Sequence, residues 1–186
     1  MSSKNDVSLD KDAQLELLRI ARESLNACVV GKSCDEISSS LPVLQNHFGA
    51  FVTLTKKGEL RGCIGNFEPE QPLWHVVRDM AVAASMEDPR FSPVRPDEAG
   101  QIKIEISVLT PRQKIQDIDE IQVGTHGLYI RKGWHAGTLL PQVAVEYKWD
   151  KSTFLKQTCY KAGLPADAWT DPQTEIFIYS AIIFHE

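Results

Sequence analysis

The chain has 186 residues, of which 42% are hydrophobic and 24% charged, with a formal net charge of −5. That balance is ordinary for a globular protein with a core of its own, and its acidic sign excludes non-specific nucleic-acid binding, which needs clustered Lys and Arg. Four cysteines (Cys28, Cys34, Cys63 and Cys159) without a C-x-x-C pair, and no apolar run near the ~20 residues of a membrane span, point to a cytoplasmic protein with free thiols.

Residues 1–9 are polar and read as a flexible N-terminus, and one domain is expected over 10–186. Leu18, Ala21, Leu25 and Cys28, supported by Leu17, recur at helical spacing, with Asp10 as N-cap and Gly31 as the stop. Ser38 to His47, around Pro42, reads as an extended loop. Phe51–Leu54 and Leu60–Ile64 are β-rich runs on either side of Lys56-Lys57-Gly58-Glu59, which predicts a hairpin with Gly58 at positive φ. Pro72 opens a second helix with the stripe Trp74, Val77, Ala81 and Ala84, and this helix must stop before Pro89. Ile102, Ile104, Ile106 and Val108 alternate with polar residues, the period of a half-buried strand. Gly127–Arg131 and Leu139–Val145 are shorter strand candidates, although Pro141 makes the second an edge strand, a bulge or no strand. Phe154–Ala162 is a third helix, ended by Gly163 and Pro165. Ile176–Phe184 is apolar on both faces and reads as a central strand. Hairpins and helices in mixed order predict an α+β fold with mixed or antiparallel sheets and flanking helices.

The chemistry concentrates in Leu60-Arg61-Gly62-Cys63-Ile64-Gly65. Gly62 and Gly65 lack β-carbons, so another backbone or a ligand can approach closely. The Arg61 guanidinium could favour the thiolate of a nearby cysteine, the reactive form. Cys63 is therefore either a nucleophile or a small buried hydrophobe in a glycine-bulged strand. His126, Glu146, Arg90 and Glu105 are polar groups that could join it. Cys63, His126 and Glu146 would make a nucleophile, a base and an orienting carboxylate. Equally, His126 could bond a neighbouring backbone group in its Gly-rich turn. Glu146, expected to be part-buried after its apolar run, could pair with Arg61 or Arg90, and Arg90 could bind an anion or pair with Asp88. The five histidines show no H-x-x-x-H or H-x-x-E-H spacing, so neither a metal nor another cofactor is expected.

Several blocks carry a resemblance: Gly49-Ala50-Phe51-Val52-Thr53-Leu54 with the Cys63 motif, Asp88-Pro89-Arg90-Phe91, Ile104–Thr110, Val123–Leu128, Leu139–Glu146 with Trp149-Asp150, and Cys159–Gly163. In this order they resemble the AMMECR domain family from about residue 10 to the C-terminus. The resemblance implies an α+β fold with a larger and a smaller lobe. It places catalytic Cys63, His126 and Glu146 inside the matching blocks, together with a binding set of Arg61, Gly62, Gly65, Arg90, Glu105 and Gln142. Domains of this family occur beside Memo-like and radical-SAM domains, which implies a modification pathway in which a small group is handled at a thiol. The alternative is a binding module for a protein or small ligand, without chemistry of its own.

Overall fold

The Asp10 carboxylate accepts the Ala13 N–H at 2.9 Å and starts the first helix where the sequence places it. The computed structural model describes residues 9–186, so all but one residue of the expected flexible segment 1–9 lies outside the described residues. In chain order the elements are α1 (Lys11–Cys28), β1 (Ala50–Lys56), β2 (Glu59–Asn66), α2 (Leu73–Met86), β3 (Ile102–Leu109), β4 (Gln113–Lys114), β5 (Gly127–Lys132), β6 (His135–Leu139), α3 (Pro141–Glu146), α4 (Lys151–Lys161), β7 (Glu175–Tyr179) and β8 (Ala181–His185). The class is α+β, as expected. One compact unit runs to Leu109 and resumes at Ile182–Glu186; the other is Thr110–Ala181.

In the first unit the sheet order is β2-β1-β3-β8. Lys57 and Gly58, at φ 55° and 86°, form the two-residue hairpin turn between β1 and β2. Val52, Leu54, Ile104 and Ile106 point from one face into a core with Leu17, Ile20 and Leu25 of α1 and Val77 and Ala81 of α2. Glu87 caps α2 two residues before Pro89. Residues 38–47, expected to be extended, instead contain a 3-10 turn over Pro42–Gln45 that buries Leu44.

The second unit has the sheet order β4-β7-β5-β6, with Leu128, Ile130 and Ile178 packed against Phe154, Leu155 and Cys159 of α4. Asp150 caps α4 by accepting the Thr153 N–H at 2.7 Å, and Gly163 follows at φ 72°. In this unit one expectation is corrected, and of the three readings of Leu139–Val145 the one without a strand is observed. Leu139–Val145 is not a strand: β6 ends at Leu139, and Pro141 is the first residue of α3, where its fixed φ suits a helix start. Ile176–Phe184 is not one strand either. It breaks at Ser180 into β7, which lies between β4 and β5, and β8, which belongs to the other sheet. Thr110 makes the break by giving its N–H to Ser180 O at 2.9 Å and accepting the Ser180 N–H on Oγ1 at 2.8 Å.

Candidate functional site

β2 is an edge strand, and its two motif glycines have separate packing reasons. A Cβ on Gly62 would lie 2.1 Å from Ala84 O, so the glycine lets the main chain of α2 rest on the strand. Gly65 pairs across the ladder with Phe51, whose ring would lie 2.2 Å from a Cβ there. The ring covers the space the glycine leaves and meets Phe67 edge-on at 5.1 Å.

Cys63 lies on the face opposite Gly62, the face it shares with Gly65. The β1–β2 ladder shifts by one residue after Leu54, so Arg61 is the extra residue of a bulge and Cys63 faces Thr53 rather than Val52. Its Sγ lies 3.3 Å from Thr53 Oγ1. Thr53 in turn pairs with Glu105 of β3. Directly paired residues share a face, so Cys63, Thr53 and Glu105 form one row across three strands, all half-buried.

The free edge of β2 at Cys63 is closed by the Asp88-Pro89-Arg90 turn. Asp88 Oδ2 accepts the Cys63 N–H at 2.8 Å, and Arg90 donates to the Cys63 carbonyl at 3.2 Å. The guanidinium also forks onto Asp88 at 3.0 and 2.8 Å. Asp88 is 4% exposed, and Arg90 first among its contacts holds its carboxyl well below the usual carboxylate range. Of the two readings of Arg90, pairing with Asp88 is therefore the one observed. Arg61 does not serve the thiol as expected. It pairs with Glu98 at 2.7 Å, beside Lys56 at 2.6 Å, and Glu98 also accepts the Arg95 N–H at 3.1 Å. Arg61 and then Lys56 pull the Glu98 pKa down to about 2. The guanidinium next to Cys63 is Arg90, already neutralised by Asp88.

Of the residues singled out in the sequence, Arg61, Gly62, Cys63, Gly65, Arg90 and Glu105 belong to the first unit and His126, Gln142 and Glu146 to the second. His126 N–H bonds Gln122 O at 2.9 Å, and its Nδ1 accepts the Gln122 N–H at 3.2 Å. That bond puts the imidazole proton on Nε2, which makes the outer nitrogen a donor rather than a base. Glu146 was expected to be part-buried and is exposed, because it ends a helix rather than an apolar strand. Its suggested partners Arg61 and Arg90 are held by Glu98 and Asp88. Gln142 Oε1 is buried with no hydrogen-bond partner among the described residues.

Burial pushes the thiols of Cys28, Cys34 and Cys159 up from their ordinary range. Among the described residues no three His, Cys, Asp or Glu side chains gather as a metal site, and no helix is long and apolar enough to cross a membrane. Sequence reasoning missed Thr53, because its neighbour across the ladder depends on the bulge at Arg61. It also missed Glu98, which is distant in sequence from the arginine it binds.

Comparison with known proteins places this geometry among relatives. A protein from Methanothermobacter thermautotrophicus is 44% identical over 185 residues, covering 96% of each chain. One from Nanoarchaeum equitans is 38% identical over 179 residues, covering 92% of this chain and 99% of its own. The crystal structure of an uncharacterized protein from Pyrococcus horikoshii superposes with a TM-score of 0.82 at 40% identity, covering 91% of this chain and 89% of that one. The family model described as AMMECR1 matches residues 18–184. With nearly the whole described chain matched, the protein belongs to the AMMECR1 family.

Proposed function

We propose that Cys63 is the nucleophile of a thiol site that takes up a small electrophilic group. The observation that carries this reading is the row Cys63–Thr53–Glu105, with the thiol 3.3 Å from the Thr53 hydroxyl. Once the Glu105 side chain turns onto the Thr53 hydroxyl beside it in the row, that hydroxyl can pass the thiol's proton to Glu105 as sulfur attacks. Sulfur then bonds the incoming carbon, the leaving group departs with its electron pair, and Glu105 keeps the proton. His126 Nδ1 is occupied by the Gln122 N–H and Glu146 is exposed, so proton transfer is better supported through Thr53. By the family's domain company, the group would belong to a modification pathway shared with Memo-like and radical-SAM proteins in the cytoplasm.

The alternative is a binding module without chemistry. Its support is that packing accounts for Gly62 and Gly65 and that Arg61 and Arg90 pair with Glu98 and Asp88 rather than with the thiol, leaving Arg90 half exposed to a ligand. Mass-resolved alkylation of the folded protein at neutral pH separates the two. A nucleophilic Cys63 labels before Cys28, Cys34 and Cys159, and Glu105→Gln slows it about tenfold or more. If Cys34 labels first, or Cys63 stays unlabelled while folded, the binding module is the correct reading. A natural ligand that Cys63→Ser still binds at full affinity would point the same way.

A further inference from the structure

Away from the Cys63 row, the end of α1 and the turn after it bring two further thiols together. Cys28 is the last residue of α1, and its Sγ donates to Leu25 O at 3.3 Å. The chain then turns through Gly31, at φ 72°, and Cys34 Sγ returns to Ser24 O at 3.6 Å. Ser24 and Leu25 offer consecutive carbonyls of one helical turn. Ser24 O is also the carbonyl that the Cys28 amide reaches in an α-helix. The two sulfurs therefore share the same turn of α1. Each thiol is half-buried, and both line one cavity of about 420 Å³ whose wall includes Lys32, Arg78, Asp79 and Glu87. Val30, Lys32 and Ser33, in the loop between them, are exposed. Movement of these exposed residues, with Val29 staying packed against the core, is what closing the pair requires.

We infer that Cys28 and Cys34 are a dithiol site that closes to an intramolecular disulfide by exchange with a low-molecular-weight disulfide. The chemistry balances in two steps. One thiolate attacks the oxidant and forms a mixed disulfide, releasing one reduced thiol. The second cysteine then attacks the protein's sulfur in that mixed disulfide and releases the other. Overall the pair loses two electrons and two protons, and the oxidant gains them as two thiols. Neither Cys63 nor Cys159 takes part: Cys159 is buried in the core of the second unit, and Cys63 Sγ faces Thr53. Closure ties the 29–33 loop to the last turn of α1 and moves Lys32 relative to Arg78 and Asp79. It thereby couples the charge of the cavity wall to the thiol state, as a reducible bond suits a protein without a disulfide framework.

The test is to incubate the folded wild-type chain with glutathione disulfide, block remaining thiols by alkylation and map the tryptic peptides, since cleavage after Lys32 separates the two cysteines. Two peptides joined through Cys28 and Cys34, with the intact mass lower by two hydrogens, are expected. Cys28→Ser and Cys34→Ser should each stall as a stable glutathione adduct on the remaining partner, and a reductant should restore both thiols. A wild-type chain that keeps glutathione on either cysteine, cross-links one of them to Cys63, or leaves both fully alkylatable overturns the inference. Wild-type mapping decides the matter even if a variant folds poorly.

Discussion

Asp88 reaches Cys63 through the main chain, not through the thiol. Its carboxylate accepts the Cys63 N–H at 2.8 Å, while Arg90 returns a bond to the Cys63 carbonyl at 3.2 Å. Both groups lie on the unpaired edge of β2, where a neighbouring strand would otherwise bond. The Asp-Pro-Arg turn thus takes the place of that strand and closes an edge open to self-association.

Asp88→Ala leaves the Cys63 N–H and the Arg90 guanidinium without their acceptor. We expect a loss of about 2–4 kcal/mol in urea unfolding. Asp88→Asn, which still accepts the N–H but carries no charge, should recover part of it. An unchanged midpoint for Asp88→Ala would show that the turn does not hold the edge.

Stability should fall in acid. Folding lowers the carboxyls of Glu98 and Asp88 below their unfolded values, so their contribution is present above the unfolded pKa and lost as pH drops through the folded one. Glu98, from 4.5 unfolded to about 2 folded, sets the window between those two values. Urea midpoints should be level from neutral pH down to about 5 and decline below it, with Glu98→Gln reducing the slope. A profile flat to about pH 3 would contradict the assigned ion pairs.

The two motif glycines should differ in what their loss does. Gly62→Ala drives a methyl to 2.1 Å from the Ala84 carbonyl, part of a helix backbone that cannot easily move, and about 3 kcal/mol of destabilisation is expected. Gly65→Ala meets first the Phe51 ring, a side chain that can turn aside, so it should cost less, and Phe51→Ala should offset part of it. Additive effects in the Gly65/Phe51 double-mutant cycle would show that the ring does not cover the glycine.

Tyr179 in the second unit lies against Gly127, and its hydroxyl bonds Thr138 Oγ1 at 2.9 Å and Leu139 O at 3.1 Å. Burial pushes the phenol up, so it stays neutral. Tyr179→Phe should lose about 1–2 kcal/mol by thermal or urea unfolding, because Leu139 O is left short of a donor. No measurable change would mean that water replaces the hydroxyl.

Local signals were readable in the sequence and distant ones were not. Asp10, Gly58 and Pro72 act on their own neighbours, so the first helix, the hairpin and the second helix could be read directly. The break at Ser180 is made by Thr110, remote in sequence, and an unbroken apolar run hid it. The motif glycines signalled close approach but not its source, since Ala84 and Phe51 reach them only through the fold. Register was the sharpest limit. Counting back from the two-residue turn at Lys57-Gly58 sets Cys63 opposite Val52, on the core face. The bulge at Arg61 moves it opposite Thr53, onto the other face and beside the Thr53 hydroxyl.

The way the chain enters and leaves the second unit has its own consequence. Thr110 and Ser180, at the two ends of Thr110–Ala181, are joined by two hydrogen bonds, and the strands that flank this segment, β3 and β8, are neighbours in one sheet. Residues 110–181 are thus a module spliced between adjacent strands. A gene that replaced the segment with a short β-turn would keep the strand order β2-β1-β3-β8, and the excised segment would begin and end at one point, as transplantable domains do.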